Sequence, residues 1–177
     1  MAIFKRIPKA AQIAAVYAVI MFTIYSWTLL WFFWKYPSWA FFMNIGEILV
    51  ELAYSLANCF AESLVVLIFP VFLAVILPKK WFYDSFIARG VALVLPILGY
   101  MMVLAYQING ELDYPSEALN WAPIVLAVTL LLVFLAGKPG LLRKALEAVA
   151  DRMTIFIYLF VPLSILSIVV VVIQLVF

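Results

Sequence analysis

The chain has 177 residues, of which 69% are hydrophobic and 11% are charged, whereas about 25% of the residues in an average soluble domain are charged. This composition excludes a soluble globular fold, and a net charge of only +2 gives no support to nucleic-acid binding. The sequence has no His and one Cys, which excludes imidazole-ligated metals, an internal disulfide and a thiolate cluster. We therefore expect a chain that has no cofactor, no metal site and no catalytic residues.

The apolar runs predict an all-α integral membrane protein with five transmembrane helices in a single domain, residues 1–177. About 20 apolar residues are enough to cross a hydrocarbon core about 30 Å thick. In chain order, the predicted spans are residues 10–34, 51–77, 86–108, 121–136 and 153–177. The first span is longer than the roughly 7–15 apolar residues of a secretory signal, so we expect it to remain as a membrane anchor.

Proline and capping residues predict where several of the helices begin and end. Pro37 predicts a break after the first span, while Asn44 predicts the start of the second helix and Pro78 its end. Because this second helix is longer than the bilayer core requires, its first turns should extend beyond the hydrocarbon. Asn120 is the expected N-cap of the fourth helix, with Pro123 in the first turn.

Residues 139–151 predict a short amphipathic helix between the fourth and fifth spans. Its expected apolar face consists of Leu141, Leu142, Ala145, Leu146 and Val149. The opposite face carries Arg143, Lys144, Glu147 and Asp151. We expect this helix to lie along the cytoplasmic membrane surface, where its cations can meet anionic lipid headgroups.

The distribution of Lys and Arg predicts the orientation, because short cytoplasmic loops retain these residues. With the N-terminus inside, Lys35 is the one outer cation among the 11 Lys and Arg residues. The inner cations are Lys5, Arg6, Lys9, Lys79, Lys80, Arg89, Lys138, Arg143, Lys144 and Arg152. The loop before the fourth span is acidic and lies outside, with Glu111, Asp113 and Glu117. We expect a cytoplasmic N-terminus and an outer C-terminus in a bacterial cytoplasmic membrane.

A stripe of polar residues on the second helix is the candidate site. At 100° per residue, its six members fall within about 80° of one another: Asn44, Glu47, Glu51, Ser55, Asn58 and Glu62. If the residues before Pro78 fill the hydrocarbon, Glu62 lies about 7 Å inside the outer boundary. A carboxylate facing lipid costs about 2.5–3.5 kcal/mol or more, so we expect Glu62 to face protein or a wet cavity. The residues expected at its depth are Ser26, Tyr106 and Ser167.

Two interpretations of this polar stripe remain open. It can line a cation or proton pathway whose deepest site is Glu62, or it can form polar contacts to neighbouring helices or to another subunit. On the first span, the spacing of Ala10, Ala14 and Ala18 predicts a helix-packing face, because small residues let helix backbones approach closely. Cys59 is interpreted as a buried apolar packing residue.

The favoured function is that of a non-enzymatic accessory or structural subunit of a larger membrane protein assembly. The extramembrane segments are too short for a catalytic site, and no internal repeat indicates a transporter. The expected partners are the lipid bilayer and other membrane subunits. The first alternative is a homo-oligomeric cation or proton pathway lined by the acidic stripe, and the second is a lipid- or carotenoid-binding module that uses the aromatic outer rim.

Overall fold

The structure, a computed structural model, describes residues 7–78, 81–108 and 116–176, with the backbone alone at 116–118. All regular elements in these ranges are helices: α1 (Ala10–Trp39), α2 (Ile45–Ile76), α3 (Phe86–Ile108), α4 (Ser116–Ala136), α5 (Leu141–Met153) and α6 (Ile155–Val176), with one 3-10 turn at Tyr83–Ser85. Five of them, all except α5, are long and apolar enough to cross a membrane. The predicted all-helical fold with five candidate transmembrane helices is confirmed.

Some residues used in the orientation prediction lie outside the described residues. They are Lys5, Arg6, Lys79, Lys80, Glu111, Asp113 and the side chain of Glu117. The last residue of the predicted fifth span, Phe177, also lies outside them.

Helix α1 is the centre of the bundle. It contacts α2, α3, α5 and α6, while α4 packs against α3 on one side and α6 packs against α2 on the other. The completely buried side chains of α1 include Val16, Ile20, Met21 and Tyr25. The first span is therefore enclosed by protein over much of its length, whereas α4 and α6 leave most of their apolar side chains exposed, as expected of helices that face lipid.

The second helix begins and ends where its capping residues predict. The Asn44 side chain accepts a hydrogen bond from the Glu47 backbone N–H at 2.9 Å, and the Glu47 carboxylate accepts one from the Asn44 backbone N–H at 2.8 Å. This reciprocal capping box satisfies two N–H groups that have no partner within the helix. At the other end the helix stops at Ile76, two residues before Pro78. Its 32 residues span about 48 Å at 1.5 Å per residue.

Two predicted boundaries are wrong. α1 does not break at Pro37 but continues through it to Trp39, because this proline removes only one backbone hydrogen bond near the end of the helix and the Tyr36 carbonyl still accepts from the Ala40 N–H at 3.0 Å. α4 begins at Ser116, so Asn120 lies within the helix and is not its N-cap. Ser and Glu at residues 116 and 117 favour a helix start, a signal that Asn120 obscured.

A short helix, α5, lies where residues 139–151 predicted one, shifted two residues along the chain to Leu141–Met153. The shift arises because Gly140 is extended and serves as the N-cap. The face that packs on the bundle differs from the predicted one: Leu146, Ala150 and Met153 join the apolar contacts with α1 and α3, while Leu141 is 88% exposed. Only part of the predicted apolar face is used inside the protein, so an exposed apolar strip remains beside it.

Polar side chains of α1 form hydrogen bonds to two neighbouring helices, α2 and α6. The Tyr17 and Ser63 hydroxyls lie 3.2 Å apart, and the Cys59 thiol donates to the Thr28 hydroxyl at 3.1 Å. The buried Tyr25 hydroxyl donates to the Leu56 carbonyl of α2 at 3.4 Å and is also hydrogen-bonded to a serine of α6, Ser164. Cys59 is buried as predicted, but it is a hydrogen-bond donor as well as an apolar packing residue.

Replacing Tyr25 by Phe should destabilise the bundle by about 1 kcal/mol, since hydrogen bonds between membrane helices contribute on this scale. Ser164 keeps its bond to the Phe160 carbonyl, so the loss falls on the tyrosine contacts alone. The measurement is reversible unfolding in mixed detergent micelles. Tyr158→Phe is the control, because Tyr158 is 79% exposed; an equal loss in both variants would contradict a structural role of the Tyr25 hydroxyl.

Candidate functional site

A groove lies between α2 and α3, with α1 as its floor. It consists of two adjoining cavities of about 340 Å³ and about 720 Å³. The smaller one is the outer cavity, at the end of the bundle where α1 finishes, and it contains Lys35, Trp39 and Glu51. The larger, inner cavity reaches Glu62 and Val66. Four residues line both cavities, which makes the groove continuous: Trp27, Thr28, Ser55 and Ala105.

The polar stripe of α2 is divided between a helix cap and the groove. Asn44 and Glu47 bond to each other at the start of α2 and line neither cavity. Glu51 and Ser55 line the outer cavity, while Ser55, Asn58 and Glu62 line the inner one. The candidate site of this chain therefore consists of the four later members of the stripe together with the α1 and α3 residues that complete the groove.

Asn58 and Glu62 form the polar centre of the inner cavity. The Asn58 side-chain amide donates to the Glu62 carboxylate at 2.8 Å, and both side chains are exposed on this open surface of the isolated chain. These residues are one helical turn apart, so their pairing follows from the i, i+4 geometry of α2. This bond uses only part of the acceptor capacity of the Glu62 side chain, since a carboxylate offers about four acceptor sites.

The hydrogen bond that the structure gives Glu62 comes from Asn58, while the three residues expected at its depth have other contacts or are exposed. Ser167 is buried on α6 and donates to the Leu163 carbonyl of its own helix at 2.8 Å. The Tyr106 ring lies 6.2 Å from the Trp31 ring, and Ser26 is exposed. Depth alone could not predict the contacts, because it does not tell which face of α2 each neighbouring helix covers.

Several residues of the groove were not anticipated from the sequence. Lys35, the one cation predicted outside, lines the same cavity as Glu51, so the outer part of the groove carries both charges. Trp27 and Trp31 flank this part, and the Trp31 ring stacks on Trp34 with centroids 5.6 Å apart. The signal was present in the first span, where Thr28, Trp31 and Lys35 recur at the three- and four-residue spacing of one helix face.

The alanines of the predicted packing face have different environments. Ala10 is exposed, Ala14 is half-buried and Ala18 is completely buried. A close approach of α1 to α3 occurs elsewhere, at Val16 and Gly90: a Cβ added to Gly90 would lie 3.0 Å from a Val16 methyl carbon. The small residue at this contact therefore belongs to α3 and not to the alanine series of α1.

The chemistry available in the groove is hydrogen bonding and charge, with a cation at Lys35 and carboxylates at Glu51 and Glu62. Among the described residues, no group of three Cys, Asp or Glu side chains is placed to hold a metal ion. The groove offers carboxylate, amide and hydroxyl groups beside tryptophan and methionine side chains. This combination suits an occupant that is mostly apolar and has a few hydrogen-bond donors.

Comparison with known proteins adds no functional information: the chain matches no protein-family model, no curated protein and no solved structure. Its class, a helical bundle with five candidate membrane-spanning helices, follows from the fold itself. Its function has to be argued from the groove.

Proposed function

We propose that the chain is a non-enzymatic structural subunit of a larger membrane protein assembly, and that the groove receives a transmembrane helix of another subunit. The observation that carries this proposal is the Asn58–Glu62 pair, which lies in an open cavity of about 720 Å³ beside the exposed apolar residues Leu64 and Val65. The partner helix is expected to place a hydrogen-bond donor against Glu62.

The reason is the cost of leaving these groups against lipid. Acyl chains have no hydrogen-bond donors, and a charged or unsatisfied polar group at this depth costs several kcal/mol. A partner helix supplies donors and packs its apolar side chains on the walls of the cavity, where Leu98, Met101 and Met102 of α3 face it. Methionine-rich walls adapt to the shape of a partner, because the thioether side chain has several accessible rotamers.

We further propose that the N-terminus is cytoplasmic and that the membrane is a bacterial cytoplasmic membrane. The positions of the cations in the bundle support this orientation. Arg89 lies against Gly137, the residue before Lys138. α5, which carries further cations, packs against α1 and α3 at the same end of the bundle. Lys35 lies at the other end. The exposed apolar strip of α5, which includes Leu141 and Val149, is suited to contact the membrane surface while its charged face meets water.

The orientation predicts the labelling of introduced cysteines in sealed cells. In a Cys59→Ala background, Ser38→Cys should react with a membrane-impermeant thiol reagent from outside, and Asp84→Cys should react only after the cells are permeabilised. Both positions are exposed, whereas Ser85 is 4% exposed and would report burial instead of sidedness. Labelling of Asp84→Cys in sealed cells would contradict the cytoplasmic assignment of this end.

The subunit proposal is tested by cross-linking from the groove. A photoreactive residue at Met101, which lines the inner cavity and is 56% exposed, should cross-link to one particular membrane protein in cells. The matched control is Leu131 on α4, which is 57% exposed and lies outside the groove; it should cross-link mainly to lipid. The same adduct from both positions, or adducts to copies of this chain alone, would contradict the proposal.

A cation or proton pathway is the second candidate. It is favoured by the continuity of the groove from Glu51 to Glu62, two carboxylates that line adjoining cavities. Ile24, Val66 and Leu98 also line the inner cavity. For ions to pass beyond these apolar side chains, a second copy of the chain would have to supply further polar groups. Ion flux into vesicles that contain only the purified chain tests this alternative.

A further inference from the structure

A separate cavity lies at the opposite, basic end of the bundle. It has a volume of about 620 Å³ and is bounded by the end of α2, the connection to α3, the start of α3 and the last turns of α4. Its lining residues include Leu73, Trp81, Arg89, Leu130 and Phe134. This volume falls within the range of about 300–1,000 Å³ that is common for ligand sites, and apart from Arg89 and the Trp81 indole N–H the lining side chains are purely apolar.

Arg89 brings a positive charge into this apolar surface. It lies in the first turn of α3, and its Nε atom is buried. Its guanidinium packs against the backbone at the end of α4, where a Cβ added to Gly137 would overlap it. The glycine therefore leaves the space that the guanidinium occupies, and the two helices hold the charge at the wall of the cavity.

The described side chains around Arg89 carry an excess of positive charge. Asp84 and Arg143 act on Arg89 electrostatically, and Arg143 is paired with Glu147 at 2.8 Å. Lys138 lies at the rim, with its Nζ 4.7 Å from the centroid of the Phe134 ring that lines the cavity. Among these side chains, three are cationic and two are acidic.

We propose that this cavity is a binding site for an anionic phospholipid, with an acyl chain in the apolar part and the phosphate group on Arg89. A guanidinium matches phosphate oxygens bidentately, and basic pockets between membrane helices on the cytoplasmic side are suited to anionic headgroups. Trp81 is 72% exposed and lies between α2 and α3 at the end of both helices, and indole rings at the ends of membrane helices favour the headgroup region. The apolar volume and the charge beside it together define an amphiphile with a negative headgroup.

The test is native mass spectrometry of the delipidated full-length chain titrated with phosphatidylglycerol or with phosphatidylcholine. The wild-type chain should bind phosphatidylglycerol more tightly, and Arg89→Gln should lower that affinity about tenfold, the change expected for loss of one charge-assisted hydrogen-bonded contact. Leu130→Trp, at a position that lines the cavity and is 59% exposed, should weaken the binding of both lipids by filling the space for the acyl chain.

Arg152→Gln is the matched control, because it removes one exposed cation of α5 that does not line the cavity; its lipid binding should equal that of the wild type. An equal loss of phosphatidylglycerol affinity in Arg89→Gln and Arg152→Gln would indicate diffuse surface attraction and overturn the proposal. Equal affinity of the wild type for the two lipids would also overturn it, and so would unchanged lipid binding in Leu130→Trp. If Arg89→Gln does not fold, Arg89→Lys is measured in its place. Weaker phosphatidylglycerol binding in Arg89→Lys supports bidentate recognition of the phosphate by Arg89, and unchanged binding overturns that recognition.

Discussion

Replacing Gly90 by leucine should push α1 away from α3 and destabilise the bundle by about 3 kcal/mol, the upper end of what overpacking usually costs. Gly90 is buried where α3 packs against α1, and even a single Cβ there would lie 3.0 Å from one Val16 methyl carbon and 3.2 Å from the other. Val16 is itself completely buried, so it cannot move aside. A leucine side chain therefore has to separate the two helices.

Gly99→Leu is the matched control on the same helix, because a Cβ added to Gly99 meets nothing within 4 Å. It should leave the stability unchanged or raise it, since glycine within a helix costs roughly 0.5–1 kcal/mol relative to alanine. The measurement is the thermal midpoint of each purified variant in the same detergent. Equal midpoints for Gly90→Leu and Gly99→Leu would show that α1 and α3 are not packed as described.

If the groove binds a helix of another subunit as proposed, replacing Glu62 by leucine should release that subunit, while replacement by glutamine should leave the proposed assembly intact. Leucine removes the acceptor and leaves the donor of the partner helix unsatisfied, which costs about 2 kcal/mol or roughly thirtyfold in association. Glutamine keeps the size and can still accept a hydrogen bond, so its effect should not exceed the roughly 1 kcal/mol of a typical contact between membrane helices. The measurement is the yield of the Met101 cross-link in each variant.

Ile68→Ala is the control for nonspecific change on α2, since Ile68 is 64% exposed and does not line the groove. It should retain the cross-link. A different result would favour the cation or proton pathway. If Glu62→Gln assembles fully but its cation or proton flux in vesicles is lost, Glu62 acts as an acid that has to ionise. Retention of the cross-link in Glu62→Leu would contradict the proposed role of Glu62 in binding the partner.

Local sequence signals predicted the parts of this fold that depend on local interactions. The number and approximate position of the apolar helices follow from runs of residues that are long enough to cross a bilayer. The Asn44 capping box and the stop before Pro78 depend on backbone bonds within a few residues, so both could be read directly from the chain. The polar stripe was also predictable as a helix face. An α-helix rotates by 100° per residue whatever surrounds it, so the residues that share a face can be found without knowing the neighbouring helices.

The predictions that failed depended on competition between local signals. Pro37 and Asn120 are typical boundary residues, yet α1 extends to Trp39 and α4 starts at Ser116. A proline removes one hydrogen bond and a capping residue adds one, so continuation of an apolar helix can outweigh either. The face of α5 that packs on the bundle likewise depended on where α1 and α3 end, which the pattern of α5 alone does not contain.

By itself the sequence determined an all-helical chain with five helices able to span a membrane and with one polar face on α2, because hydropathy and periodicity are properties of contiguous residues. Only the tertiary structure decided that Lys35 shares a cavity with Glu51, and that Gly90 and Gly137 give room to Val16 and Arg89. These contacts join residues from different helices, and helices with nearly uniform apolar surfaces can pack in several rotations. Side-chain shape selects one of them, and the groove and the basic cavity are consequences of that selection.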